Sequence, residues 1–238
     1  MLTSFRRILS VLLLVAGNIS LIWASLPARH GSAVVPITSD DMQLVSGDEN
    51  GTYAVLEGRL VSLQWPTRLR IGDDYMVIMD FTSRGTDRNE ISQATSYRDI
   101  YAGHTVMAEA SYEQAGIKVD PAIPTRESLL AGQALKFIWH VQAVKAGAYD
   151  GVVWLSLRYL PLDGSTPSQA PVFVQPLRLT AGSLLGLSAP AARVVAGIGI
   201  PVGVLLEFSD IISLARRRKQ RTMTRVERND SSLHQDGI

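Results

Sequence analysis

The sequence predicts an all-β domain, an antiparallel sandwich, carried between an N-terminal and a C-terminal transmembrane helix. Three observations predict it. Between residues 51 and 180 apolar residues recur with period two, and turn residues separate the runs. An uncharged apolar segment stands on either side of that region. Basic residues cluster at the terminal end of each apolar segment, while the region between them is acidic.

The strands come first. "GRLVSLQW" at 58–65 opens the series, and "DYMVIMDF" places Tyr75, Val77, Met79 and Phe81 on one face. "HTVMAEASY" at 104–112 follows. In "LKFIWHVQ" the inward set is Leu135, Phe137, Trp139 and Val141, and in "GVVWLSLRYL" it is Val153, Leu155, Leu157 and Tyr159. "APVFVQPLRL" is a further strand in which Pro176 calls for a bend or an edge position. No stretch here sustains a 3.6-residue apolar period. Asn50-Gly51, Gly72-Asp73, Gly147 and Asp163-Gly164 fall between runs, where turns tolerate positive φ. The polar stretch 82–103 is long for a connection and reads as an ordered loop or a flexible excursion.

Strands of this number and size resemble, in architecture, the immunoglobulin-like sandwiches common on cell surfaces. The paired cysteines that flank a Trp in true immunoglobulin domains are absent, because the chain contains no cysteine. That absence also excludes disulfides, thiolate catalysis and thiolate metal sites. It suits a bacterial exported domain better than a small secreted eukaryotic one.

The flanks divide further. Residues 1–28 form a signal peptide or an uncleaved signal anchor: Arg6 and Arg7 precede an apolar run from Ile8 to Leu26. As a helix that run is about 28 Å long, close to a membrane span. Residues 29–50 and 181–192 read as linkers around the 51–180 domain. The second span is placed at 193–214, although its uncharged stretch, Val194 to Leu206, is only 13 residues. Arg193 would snorkel to one interface, while Glu207 and Asp210 lie near the other. A buried or interfacial helix that does not cross is the competing reading. Residues 215–238 form a basic tail whose last part is too polar to fold.

Charge orients these parts. From Arg29 to Ala192 there are 13 Lys/Arg against 17 Asp/Glu, a balance of −4, whereas Arg216 to Arg228 holds seven basic residues and one acid. Arg6 and Arg7 at one end, with Arg216, Arg217, Arg218, Lys219 and Arg221 at the other, place both termini in the cytoplasm by the positive-inside rule. The same residues would contact anionic headgroups. A nucleic-acid role for this basic run is disfavoured: no aromatic residues interleave with it, and the N-terminal segment directs export.

Chemistry is sparse. The histidines His30, His104, His140 and His234 lack metal-ligand spacing, and there is no P-loop, nucleophile elbow or His-Glu-x-x-His. Asp48 fails as an EF-hand start, since Tyr53 and Arg59 occupy the positions of the obligatory Gly and Glu. No cofactor and no enzymatic activity are expected. Gly199 and Gly203 form a G-x-x-x-G with Pro201 inside it, a spacing that lets helices approach closely and offers a route to homo- or hetero-oligomers. Glu207 and Asp210 share a helix face as interfacial acids. The expected function is a plasma-membrane protein of a bacterium presenting its domain outside for a protein partner. An accessory subunit of a larger membrane complex is the alternative, with an exported hydrolase behind it.

Overall fold

A computed structural model of the chain describes residues 2–45, 52–55, 57–84 and 98–208. Two units separate: one is built on strands between Pro27 and Ala189, the other on the two terminal helices. The helices are α1 (Leu2–Ser25) and α2 (Ala189–Phe208). The strands are β1 (His30–Ile37), β2 (Gln43–Val45), β3 (Thr52–Ala54), β4 (Arg59–Pro66), β5 (Arg68–Arg70), β6 (Asp74–Ser83), β7 (Arg98–Asp99), β8 (His104–Gln114), β9 (Ile117–Asp120), β10 (Thr125–Leu129), β11 (Leu135–Ala143), β12 (Gly147–Pro161) and β13 (Ser168–Gly182).

Ten strands make two five-stranded sheets, β1-β4-β6-β11-β9 and β10-β8-β12-β13-β5; β2, β3 and β7 make a small third sheet. All pairs are antiparallel except β13 with β5 and β3 with β7. The period-two pattern explains the burial. Val77, Met79 and Phe81 of β6, Phe137, Trp139 and Val141 of β11, and Val153, Leu155, Leu157 and Tyr159 of β12 are all sealed from solvent. Tyr75, expected with the first set, is only half-buried. Inward residues of both large sheets belong to one core. Across it Tyr112 of β8 meets Trp139 with ring centroids 6.3 Å apart, and Phe137 stacks on Trp139 at the same distance. Each such large apolar side chain contributes about 1.5–3 kcal/mol by leaving water.

Several boundaries differ from expectation. Within the expected linker 29–50, β1 occupies His30–Ile37 and pairs along its full length with β4, His30 opposite Pro66 and Ile37 opposite Arg59. A one-turn helix, Asp40–Met42, follows it and buries Met42, whose carbonyl accepts the Tyr159 hydroxyl at 3.2 Å. At the other end β13 runs to Gly182, and Leu184 and Leu187 form an isolated bridge. Pro176 lies on β13 where β5 does not reach, since β5 pairs only with Thr180 to Gly182. Its missing N–H therefore costs no ladder bond on that side. Most of the expected long loop, 85–97, lies outside the described residues, as does Asn50-Gly51.

Arg59 was not singled out in the sequence and is the strongest polar feature of the β unit. It is fully buried at the start of β4 with its guanidinium 5.0 Å from the Phe81 ring centre. It pairs with the Glu57 carboxylate and donates to the carbonyls of Gln133 (2.6 Å) and Leu130 (3.0 Å). Glu57 in turn accepts from the Gly132 backbone N–H at 3.1 Å. The β10–β11 loop is thus riveted to β4 by one charged pair. Close by, burial pushes the Tyr101 hydroxyl up to about 12, and the Glu57 carboxylate acts in the same direction. Burial raises Tyr112 and Tyr159 as well.

Two outcomes follow from these contacts. Arg59→Ala strands the Glu57 carboxylate and the loop carbonyls, and should lower unfolding stability by about 3–5 kcal/mol, read as the urea midpoint of tryptophan emission in detergent. The buried tyrosines bind their protons more tightly folded than unfolded. Their contribution is complete below pH 10, their ordinary value, and is lost as pH rises toward the folded value of about 12 for Tyr101. The midpoint should fall from pH 9.5 to pH 11.5, and Tyr101→Phe should flatten that fall (~ two pH units of titration window).

Candidate membrane anchor

Two helices are long and apolar enough to cross a membrane, Phe5–Ser25 and Ala189–Phe208. At 1.5 Å per residue they span roughly 32 and 30 Å, matching a hydrocarbon core of about 30 Å. The second starts four residues before the expected 193, so Arg193 sits exposed in its second turn rather than at its end. Ser188 and Pro190 supply the start signal: a capping-type residue just before the helix and a proline in its first turn.

The two helices pack antiparallel. The Ser10 hydroxyl of α1 donates to the Gly203 carbonyl of α2 at 2.8 Å, in a buried position. A Cβ on Gly203 would stand 2.8 Å from Leu14 Cγ and 3.2 Å from the Ser10 carbonyl oxygen. One turn toward the start of α2, a Cβ on Gly199 would lie 3.5 Å from the Leu13 carbonyl oxygen, an ordinary contact. Further along α1, a Cβ on Gly17 would meet Ile200 Cγ1 at 2.8 Å. Only hydrogen at Gly17 and Gly203 lets the backbones come this near.

The seam has a repeat on both sides. Ser10, Gly17, Ser20 and Ala24 are buried on α1; Ala189, Ala192, Ala196, Gly199 and Gly203 are buried on α2. These spacings of three, four and seven are those of helices crossing at a shallow angle. The sequence reading marked Gly199 and Gly203 but missed their α1 counterparts, although small residues at 10, 17, 20 and 24 carry the same signal. The G-x-x-x-G face is occupied within the chain, and Gly197, off that face, has nothing within 4 Å of a notional Cβ. Asn18, the polar interruption in α1, bonds its own helix at the Leu14 carbonyl, 2.7 Å away.

The remaining marked residues fall as follows. Arg6 and Arg7 occupy the first turns of α1, near the end that holds Gly203, and Arg7 is exposed. Glu207 is half-buried one turn after Gly203. Asp210, Arg216, Arg217, Arg218, Lys219 and Arg221 lie outside the described residues. In the β unit, Asp73 pairs with Arg70 at 3.0 Å and Asp74 with His140 Nδ1 at 2.8 Å, so the acidic turn faces basic neighbours. Among the described residues no three His, Asp or Glu side chains form a metal-ligating group.

No protein-family model matches the chain. No curated protein matches it either. Among solved structures, it is similar to AggA, the major subunit of aggregative adherence fimbriae type I from Escherichia coli. That likeness covers 66% of this chain and 98% of the other, at 12% sequence identity and a TM-score of 0.28. At that score it decides neither fold nor function.

The seam makes a position-specific demand. Gly203→Leu drives a side chain into Leu14 and the Ser10 backbone and should cost about 1–3 kcal/mol. Gly197→Leu, of equal size, should cost nothing measurable. Thermal unfolding of the purified chain in mild detergent separates them; equal melting temperatures would remove the seam as the pairing surface.

Proposed function

We propose that the chain is an integral membrane protein inserted as an antiparallel helix hairpin, with its β unit outside the plasma membrane of a bacterium. The observation that carries this reading is the antiparallel pairing of α1 and α2 through Ser10 and Gly203, between two helices of membrane-crossing length. A hairpin of two spans returns the chain to the side it left. Arg6 and Arg7 before α1 and the run Arg216 to Lys219 after α2 then fall on one side, the cytoplasmic one. α1 contributes half of the seam, which supports retention of the N-terminal segment as an anchor over its removal as a signal peptide.

The β unit is an immunoglobulin-like sandwich in this reading, supported by two antiparallel sheets that share one core. Its task is to bind or scaffold a protein partner rather than to catalyse. Support comes from the character of its polar cluster: Glu57, Arg59 and Tyr101 bond one another and nearby backbone, as a structural rivet does. Membrane lipids are the second partner, through the outward residues Ile8, Leu12, Ile19, Ile22, Ile198 and Leu205, all exposed on the helix pair.

Fractionation with protease protection tests the arrangement. In spheroplasts the β unit should be digested by added protease while a tag after Ile238 survives until lysis, and the intact chain should resist carbonate extraction. A carbonate-soluble chain, or a tag digested before lysis, would sink the reading. Purification in mild detergent followed by cross-linking then identifies the protein partner.

A further inference from the structure

One end of the β unit gathers the places where the chain enters and leaves it. Arg29 precedes β1, and Thr67, between β4 and β5, donates its backbone N–H to the Arg29 carbonyl at 2.7 Å. Thr180 near the end of β13 donates to the Thr67 carbonyl at 3.1 Å. The tip of the β11–β12 hairpin, residues 144–146, lies at the same end: the Ala143 carbonyl accepts from Gly72, and Gly147 pairs with Ala181. Finally, Ile71 donates to the Gly182 carbonyl at 3.2 Å, and Ala189, the last residue of the β unit, donates to the Ile71 carbonyl at 2.9 Å.

Two exposed apolar side chains stand here, Val144 at 53% and Leu185 at 95% exposure. Leu185 is the more telling. Leu184 and Leu187 exchange backbone hydrogen bonds of 3.2 and 2.9 Å around Leu185-Gly186, whose φ values are +52° and +82°. Two central residues at positive φ define a primed two-residue turn, which Asn-Gly or Asp-Gly adopts with least strain. A leucine is disfavoured there twice, by its left-handed backbone and by complete exposure of its side chain to water. Three residues separate it from Ala189, so at most about 14 Å of chain lies between the tip and that residue.

The charge at this end matches the same solvent. Arg29, Arg68 and Lys145 are exposed around these tips. Asp73 is paired with Arg70, and Asp74 is within hydrogen-bond distance of His140 Nδ1. Apolar tips also exist at the far end, where Leu162 is 67% exposed, but there the next residue is the acid Asp163. Apolar prongs ringed by basic side chains suit an interface of acyl chains beneath anionic headgroups.

We propose that the turn Leu184–Leu187 and the Val144–Ala146 tip seat this end of the β unit in the anionic phospholipid interface, with Leu185 as the inserted prong and Arg29, Arg68 and Lys145 as headgroup contacts. The inference rests on the membrane-anchor reading above. Seating removes the penalty of an exposed leucine.

The absence of cysteine makes the test direct, because a single introduced thiol labels uniquely. Leu185→Cys, Val144→Cys and Leu162→Cys are each labelled with a nitrobenzoxadiazole fluorophore in the full chain, reconstituted in phosphatidylcholine–phosphatidylglycerol vesicles. At Leu185 and Val144 the emission should shift to the blue, iodide quenching should drop several-fold relative to Leu162, and lipids spin-labelled near the headgroup should quench. Adding Leu185→Asn to the Val144 label should return it toward water while leaving the β unit folded. Vesicles of phosphatidylcholine alone should restore part of the iodide access. Equal iodide access at all three sites in a chain that resists carbonate overturns the seating and leaves the anchor intact. A chain that carbonate strips from the vesicles fails the anchor reading, and the seating with it.

Discussion

The structure depends on a stitch at Thr67. One threonine closes two junctions, donating backbone and side chain to the Arg29 carbonyl and accepting backbone and side chain from Thr180. It sits where the chain passes from one five-stranded sheet to the other, between Pro66 and Arg68. Because Arg29 leads into the unit and Thr180 lies near its exit, the stitch holds both ends of a 163-residue segment (Pro27–Ala189) at one place.

The two ends of the β unit are built on different physics. At the stitched end, neutral backbone and hydroxyl hydrogen bonds hold strands whose polar groups would otherwise face one another unpaired. At the other end, a buried guanidinium holds a loop. Burying Arg59 is costly, and the Glu57 carboxylate, two carbonyls and the Phe81 ring offset part of that cost, while its Nε is left without an acceptor. Such a rivet contributes little net stability over an apolar replacement, but it admits one loop conformation. A surface formed by the 130–133 loop would inherit that rigidity.

What the sequence revealed follows from the range of each signal. Alternation is local, and it located β6, β11 and β12 with nearly all their inward residues. It failed on β1, where Gly31 and Pro36 interrupt "HGSAVVPI" and seven of eight residues keep some exposure. Partners are non-local. Arg59 shares the inward parity of Val61 and Leu63, so its burial was legible. Its acceptors at 130 and 133 lie more than seventy residues away, and nothing in the chain's order announces them. Gly199 and Gly203 declared a close-packed face by spacing alone, but its occupant, α1, became visible only in three dimensions. The early start of α2 was readable after all, in Ser188 and Pro190, and was hidden by the charge of Arg193.

The Ser10–Gly203 bond has a consequence for how the protein is made. Its partners are 193 residues apart in the chain. At synthesis rates of about 5–20 residues per second, α1 waits roughly 10–40 s before its counterpart emerges. During that interval the hydroxyl of Ser10 can turn back onto its own helix, as serines in apolar helices do. The small-residue face of α1 stays open meanwhile, and the β unit has time to complete its sheets. α1 is thus complete long before the residue that Ser10 bonds in the folded chain has been made.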